Sequence, residues 1–187
     1  MNDFSFRTRQ IFALSCPLNE YRKVRFGGIT LFSFGALSCP VNLIKEVTGE
    51  EKNISLVRSL SEKTGGTVIV GCDLLLGSKS KLSAIVTHNG TLCDVVDSCT
   101  PPPPYVASNT VKIFNSGTFL FSLLVGNDVK SRLIVKKTAM RCDVIIALCN
   151  ELYDGDERLV RTLSTEVNKP ILFHSPTLSF FAQPMRG

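Results

Sequence analysis

The chain has 187 residues, 44% of them apolar and 20% charged, enough to build one sizeable core and too apolar for global disorder. Its net charge of +5 comes from scattered lysines and arginines, with no basic stripe interleaved with aromatics, which argues against nucleic-acid binding. Seven cysteines at irregular spacing, with no C-x-x-C, no His pair and no H-E-x-x-H, argue against a metal site. They read instead as small core residues of a reduced, cytoplasmic protein, and the amino end lacks the layout of a signal peptide.

Residues 1–8 read as a loose lead-in, and Gln10–Cys16 as a strand. A charged connector follows over Pro17–Phe26, and Gly28–Phe34 is an apolar run of strand length, as expected where both faces of a sheet are covered. The uncharged stretch Phe26–Ile44 approaches the length of a membrane helix. Its glycines, serines, Pro40 and Asn42 make it a strand and a loop instead, so no membrane association is expected.

Asn53 is placed to cap a helix over Ile54–Thr64, where Ile54, Val57 and Leu60 recur at helical spacing and Gly65-Gly66 ends the pattern. Thr67–Cys72 then reads as a buried strand, and a helix leading straight into it suggests a crossover unit. Leu82–Thr87 and Thr91–Val96 flank His88-Asn89-Gly90, and Asn-Gly is a strong hairpin signal because both residues accept positive φ. Pro101–Pro104 predicts an extended connector, with a ligand for a proline-binding partner as the alternative.

A second hairpin is expected from Val111–Phe114 and Thr118–Val125. The stretch Thr118–Cys149 reads as strand, elbow, helix and strand, with the elbow at Gly126-Asn127-Asp128, a helix over Val129–Met140 capped by Asp128, and a buried strand at Asp143–Leu148. A helix over Asp156–Asn168 and a core strand at Pro170–His174 follow, then a polar and aromatic tail. No repeat and no linker interrupts this order, which predicts one domain over residues 1–187 with 1–8 and 176–187 peripheral.

Three blocks carry a family likeness. Leu56–Thr91 has a helix, a strand ending in Gly71, a strand and the Asn89-Gly90 turn. Asn115–Leu148 has strand, elbow, helix and the run Cys142-Asp143-Val144-Ile145. Glu157–Ser175 carries Glu166, Asn168 and the strand Pro170–Phe173. Together, over roughly residues 8–176, they resemble the nitrilase or carbon–nitrogen hydrolase superfamily. The resemblance implies an α/β fold with mixed sheets, an α-β-β-α sandwich, C-terminally shortened because the chain stops soon after the last matching strand. It also implies a homodimer paired through outer helices, here Val129–Met140 and Asp156–Asn168, and no cofactor.

Members of that family cleave amide-like and nitrile bonds with a Glu, a Lys and a Cys: the thiolate attacks, the carboxylate takes its proton and the ammonium stabilises the oxyanion. In register, the nucleophile position is Gly126, the base position is Phe34, and the lysine position falls at Asp97-Ser98. All three groups are missing, so the likeness implies a pseudoenzyme that binds a small amide or carbonyl ligand, or a protein, in a pocket lined by Phe34, Cys72, Asp73, Gly126, Asn127, Asp128, Cys149 and His174. Two alternatives stay open on the residues. Cys149 with His174 could form a relocated nucleophile and base, giving an active amide hydrolase. The Pro101–Pro104 loop could serve an interaction scaffold. The acids Asp154, Asp156 and Glu157 read as a helix start rather than a metal site.

Overall fold

The computed structural model describes residues 1–21, 27–38 and 40–185. It opens with a hairpin in which β1 (Asn2–Phe6) pairs antiparallel with β2 (Arg9–Leu14). Residues 1–8 are therefore not a loose lead-in. Phe4 and Phe6 alternate with polar neighbours, and both rings pack on the central core beside Phe181 and Phe119. The part of the charged connector at 22–26 lies outside the described residues.

The expected first-half elements are present with adjusted ends, and two short ones that the sequence did not signal, β4 and α1, join them. In chain order they are β3 (Ile29–Phe32), β4 (Val41–Asn42), α1 (Leu43–Thr48), α2 (Asn53–Thr64), β5 (Thr67–Leu76), β6 (Lys79–His88) and β7 (Thr91–Asp97). Short α1 gave no periodic signal in sequence; it is nucleated by Asn42, whose side chain accepts from the amides of Ile44 and Lys45. Asn53 does not cap α2. It is the first helical residue, and the amides of Asn53 and Ile54, in the helix's first turn, donate to the Glu46 carboxylate of α1 at 2.6 and 3.1 Å. The strands form a seven-stranded sheet in the order β1-β2-β3-β5-β6-β7, with β4 beside β5. β2, β3 and β5 run parallel, and the β5-β6-β7 meander is antiparallel.

The second sheet is built from β8 (Lys112–Asn115), β9 (Leu120–Val125), β10 (Val144–Leu148), β11 (Ile171–His174) and β12 (Ser179–Ala182), in the order β12-β11-β10-β9-β8. Its crossovers are α3 (Arg132–Ala139) and α4 (Asp156–Val167). The helix expected from Val129 starts later, because Gly126–Lys130 forms a 3-10 turn first. The tail is less peripheral than expected: β12 pairs antiparallel with β11 and buries Phe180 and Ala182.

The inner faces of the two sheets meet in a core that includes Ile11, Leu31, Ile69, Leu82, Leu123, Ile146 and Leu172. Burying each such side chain contributes roughly 1.5–3 kcal/mol. The outer face of the first sheet is covered by α2 and that of the second by α3 and α4, which gives the α-β-β-α layering. Among the described residues no helix is long and apolar enough to cross a membrane.

Candidate functional site

The elbow after β9 is Gly126, at φ +61°, a conformation that strains any residue with a Cβ. A Cβ there would also fall 2.4 Å from Cδ2 of Leu82 and 3.6 Å from Oγ of Ser98. Leu82 opens the apolar run of β6 and faces the inter-sheet core, so its methyl fills the place a side chain at 126 would take.

The neighbouring positions are as apolar or as neutral. Phe34 lies against Gly71, its ring carbons 2.7–3.0 Å from where a Cβ on Gly71 would sit, so the missing side chain at 71 admits the ring. Ser98 is fully buried and donates to Asp128 Oδ1 at 2.9 Å. Its neighbour Asp97 is committed elsewhere. It accepts from Lys81 Nζ at 2.5 Å and Ser83 Oγ at 2.7 Å, and those side chains flank the inward-facing Leu82 and so point to the opposite, helix-covered side of the sheet.

Asp128 was expected to cap α3, but it reaches the other sheet instead. Its buried carboxylate accepts from Ser98 Oγ, from the Cys99 amide, and from the amide and hydroxyl of Thr100, at 2.7–2.9 Å. Four donors converge on one carboxylate, which is what a buried charge requires. The result is a clasp between the elbow and the turn that leads into the proline loop. Half-buried Asn127 sits in the 3-10 turn beside it.

The pairing of Cys149 with His174 does not form. Leu148 is the register partner of His174, and both lie on one face of the second sheet, so Cys149, one residue on, points to the other. Its thiol packs among the residues under α3 and α4 and donates to the Gly126 carbonyl at 3.1 Å. Burial pushes that thiol up to about 12, against the opposing pull of Lys130. His174 is fully buried between the sheets. Its Nε2 faces the Leu14 carbonyl at 3.0 Å and must carry the proton, which leaves Nδ1 to accept from Ser179 Oγ at 2.7 Å. Burial lowers its pKa to about 4, so the ring is neutral and ties the two sheets together.

The expected pocket is therefore not one pocket. A cleft of about 220 Å³ brings together Phe34, Gly71, Cys72 and Asp73 with Leu37 and Ser38, whereas Gly126, Asn127, Asp128, Cys149 and His174 do not line it. The Cys72 side chain belongs to the cluster beneath α2, and burial, then Asp73 and Asp97, raise its thiol pKa far above the ordinary value. Asp73 accepts from the Tyr105 hydroxyl at 3.0 Å, which anchors the end of the proline loop. Leu82 and Tyr105 were missed in sequence because each acts through a partner more than 30 residues away. The acids at the start of α4 are occupied: Asp156 pairs with Lys130 at 3.0 Å and Glu157 with Arg161 at 2.7 Å.

A scan against protein-family models finds no match, and a search of curated proteins finds none either. Solved structures do match. An amidase from Nesterenkonia sp. aligns with a TM-score of 0.63 at 15% identity, over 79% of this chain and 62% of that one. Nit3 of Saccharomyces cerevisiae, a member of branch 10 of the nitrilase superfamily, aligns with a TM-score of 0.67 at 12% identity over the same shares. The fold is that of the nitrilase superfamily. A variant of the Nesterenkonia amidase has been solved in complex with butyramide, and it aligns at 14% identity, a TM-score of 0.63, and again 79% and 62% coverage. The chain thus spans about 62% of the length of the nitrilase-fold structures it matches.

Proposed function

We propose that this nitrilase-fold chain has lost amide hydrolysis and works by binding, as a pseudoenzyme. The observation that carries the reading is the Leu82 methyl in the space a side chain at position 126 would need. Nucleophilic attack on an amide requires a thiolate, a base to take its proton and a cation for the oxyanion. The positions that the family likeness assigns to these roles hold Gly126, Phe34 and Ser98, and Ser98 is engaged by Asp128. Cys149 offers no substitute. Burial pushes its thiol up to about 12, so the group is held as the protonated thiol, a poor nucleophile, at pH 7.

The ligand in this reading is a small amide or carbonyl compound held in the cleft beside Phe34, with Asp73, which accepts from the Tyr105 hydroxyl, as its polar edge. The outward faces of α3 and α4, with Leu133 exposed, are the surface for a second copy. Six free cysteines among the described residues fit a reducing, cytoplasmic setting.

The test is to incubate the purified chain with fluoroacetamide and with butyramide. One structural relative carries the acetamide moiety of fluoroacetamide covalently at its active-site cysteine. The expected results are no mass adduct, no ammonia released from butyramide, and butyramide-dependent NMR shifts confined to residues around Phe34. Ammonia release that disappears in Cys149→Ser would overturn the proposal and restore the hydrolase reading.

A further inference from the structure

A groove of about 530 Å³ runs between α3 and the edge strand β8. It follows from the layering. α3 sits over β10 while α4 sits over β11 and β12, so the outward side of β8 is left without a helix. Ile113 of β8 and Val111 just before it are consequently only half-buried, and they form the groove floor with Ile134. Ile134, Lys137 and Thr138 recur at helical spacing on the flank of α3 that faces β8, and Arg141 follows in the turn after the helix. Arg132, which pairs with Glu166 of α4, marks the other flank.

Two observations say what the groove would take. Lys137 and Arg141 stand at its rim with no ion-pair partner among the described residues, while nearby Lys130 and Arg132 both have one, and no acid lines the groove. Thr138 lines the same wall. It is 98% buried, and its hydroxyl has no hydrogen-bond partner, a costly state for a buried polar group in a folded chain.

We propose that this groove binds an organic monocarboxylate with an apolar body. Lys137 and Arg141 hold the carboxylate, a turn of the Thr138 side chain brings its buried hydroxyl in as a further donor, and the hydrocarbon lies over Val111, Ile113 and Ile134. A neutral ligand would leave the two cations unused, and a nucleic acid or free phosphate would gain nothing from an aliphatic floor. The site lies apart from the cleft at Phe34 and does not depend on whether that cleft binds anything.

Cys99 lines the groove, whereas Cys93 is exposed on β7 and does not, which provides a built-in control. Maleimide labelling of the full chain with octanoate as the probe should slow at Cys99 and not at Cys93, with half-protection on the order of 1 mM or tighter. Methyl shifts of Ile113 and Ile134 on octanoate titration give a readout independent of thiol chemistry. Octanamide, equal in size and uncharged, should bind about tenfold more weakly, as should octanoate to the exposed pair Lys137→Glu with Arg141→Glu. Equal binding of acid and amide, undiminished binding in that pair, or no effect of octanoate on either readout would overturn the proposal. So would Cys99 protection that vanishes on dilution without any ligand, since a second copy of the chain would then occupy the groove.

Discussion

Cδ2 of Leu82 and the Cβ direction of Gly126 compete for one volume, since a side chain at 126 would start 2.4 Å from that methyl. The pair is coupled across two sheets and 44 positions of sequence, and its energetics are measurable. Gly126→Ala combines a positive-φ penalty with overpacking and should cost about 2–4 kcal/mol. Leu82→Ala removes a buried side chain and should cost about 2–5 kcal/mol. In the double variant the new methyl enters the new cavity, so chemical denaturation should show a loss smaller than the sum by at least about 1 kcal/mol. Additive losses would mean that Leu82 does not occupy the elbow's space.

Asp128 holds the turn at residues 98–100 with a carboxylate that accepts from four donors. Asp128→Asn keeps the shape but turns an NH₂ toward those donors, and should cost about 2–4 kcal/mol. Hydrogen exchange should speed up first at the amides of Cys99 and Thr100. Unchanged exchange there in a folded variant would remove the clasp from the account.

His174 makes stability depend on pH. Its folded pKa is lowered to about 4 by burial, against about 6.5 for the unfolded chain. Between those values the unfolded state binds the extra proton, so this contribution is intact above pH 6.5 and is lost as pH falls toward 4. The loss should reach about 3 kcal/mol. Urea denaturation at several pH values should show the slope in the wild type and a flatter one in His174→Gln. Parallel slopes would show that the ring is not held neutral.

Thiol reactivity should follow burial rather than any catalytic activation. Cys93 is exposed and should alkylate first, while Cys142, pushed up to about 11, and Cys149, pushed up to about 12, should react only as the chain unfolds. Mass mapping after brief iodoacetamide treatment at pH 8 decides this, and early modification of Cys149 would contradict its buried environment.

Phe34 depends on the glycine beneath it. Gly71→Ala would place a methyl 2.7 Å from the ring, and either the ring or β5 must shift, at about 1–3 kcal/mol. A thermal midpoint unchanged by this substitution would show that the ring is free to move aside.

What the amino-acid sequence determined by itself was everything that local pattern encodes. Continuous apolar runs marked β3, β5, β9, β10 and β11, Asn89-Gly90 marked the β6-β7 turn, and the helical spacing of Ile54, Val57 and Leu60 marked α2. With the family likeness, those marks also placed Gly126 at the elbow and the sandwich around it. The signal failed where segments are short or draw their order from elsewhere, as in β1, α1 and β12, which rest on Phe181, Asn42 and β11 respectively. Tertiary structure alone decided what surrounds the elbow. Which face of a strand a side chain takes depends on register, and register put Cys149 and His174 on opposite sides of one sheet, Lys81 and Leu82 on opposite sides of the other, and Asp128 against residues 98–100 instead of its own helix. A one-residue step reverses a side chain's direction, so contacts between distant strands are set by how the sheets stack, a relation that no local window of sequence contains.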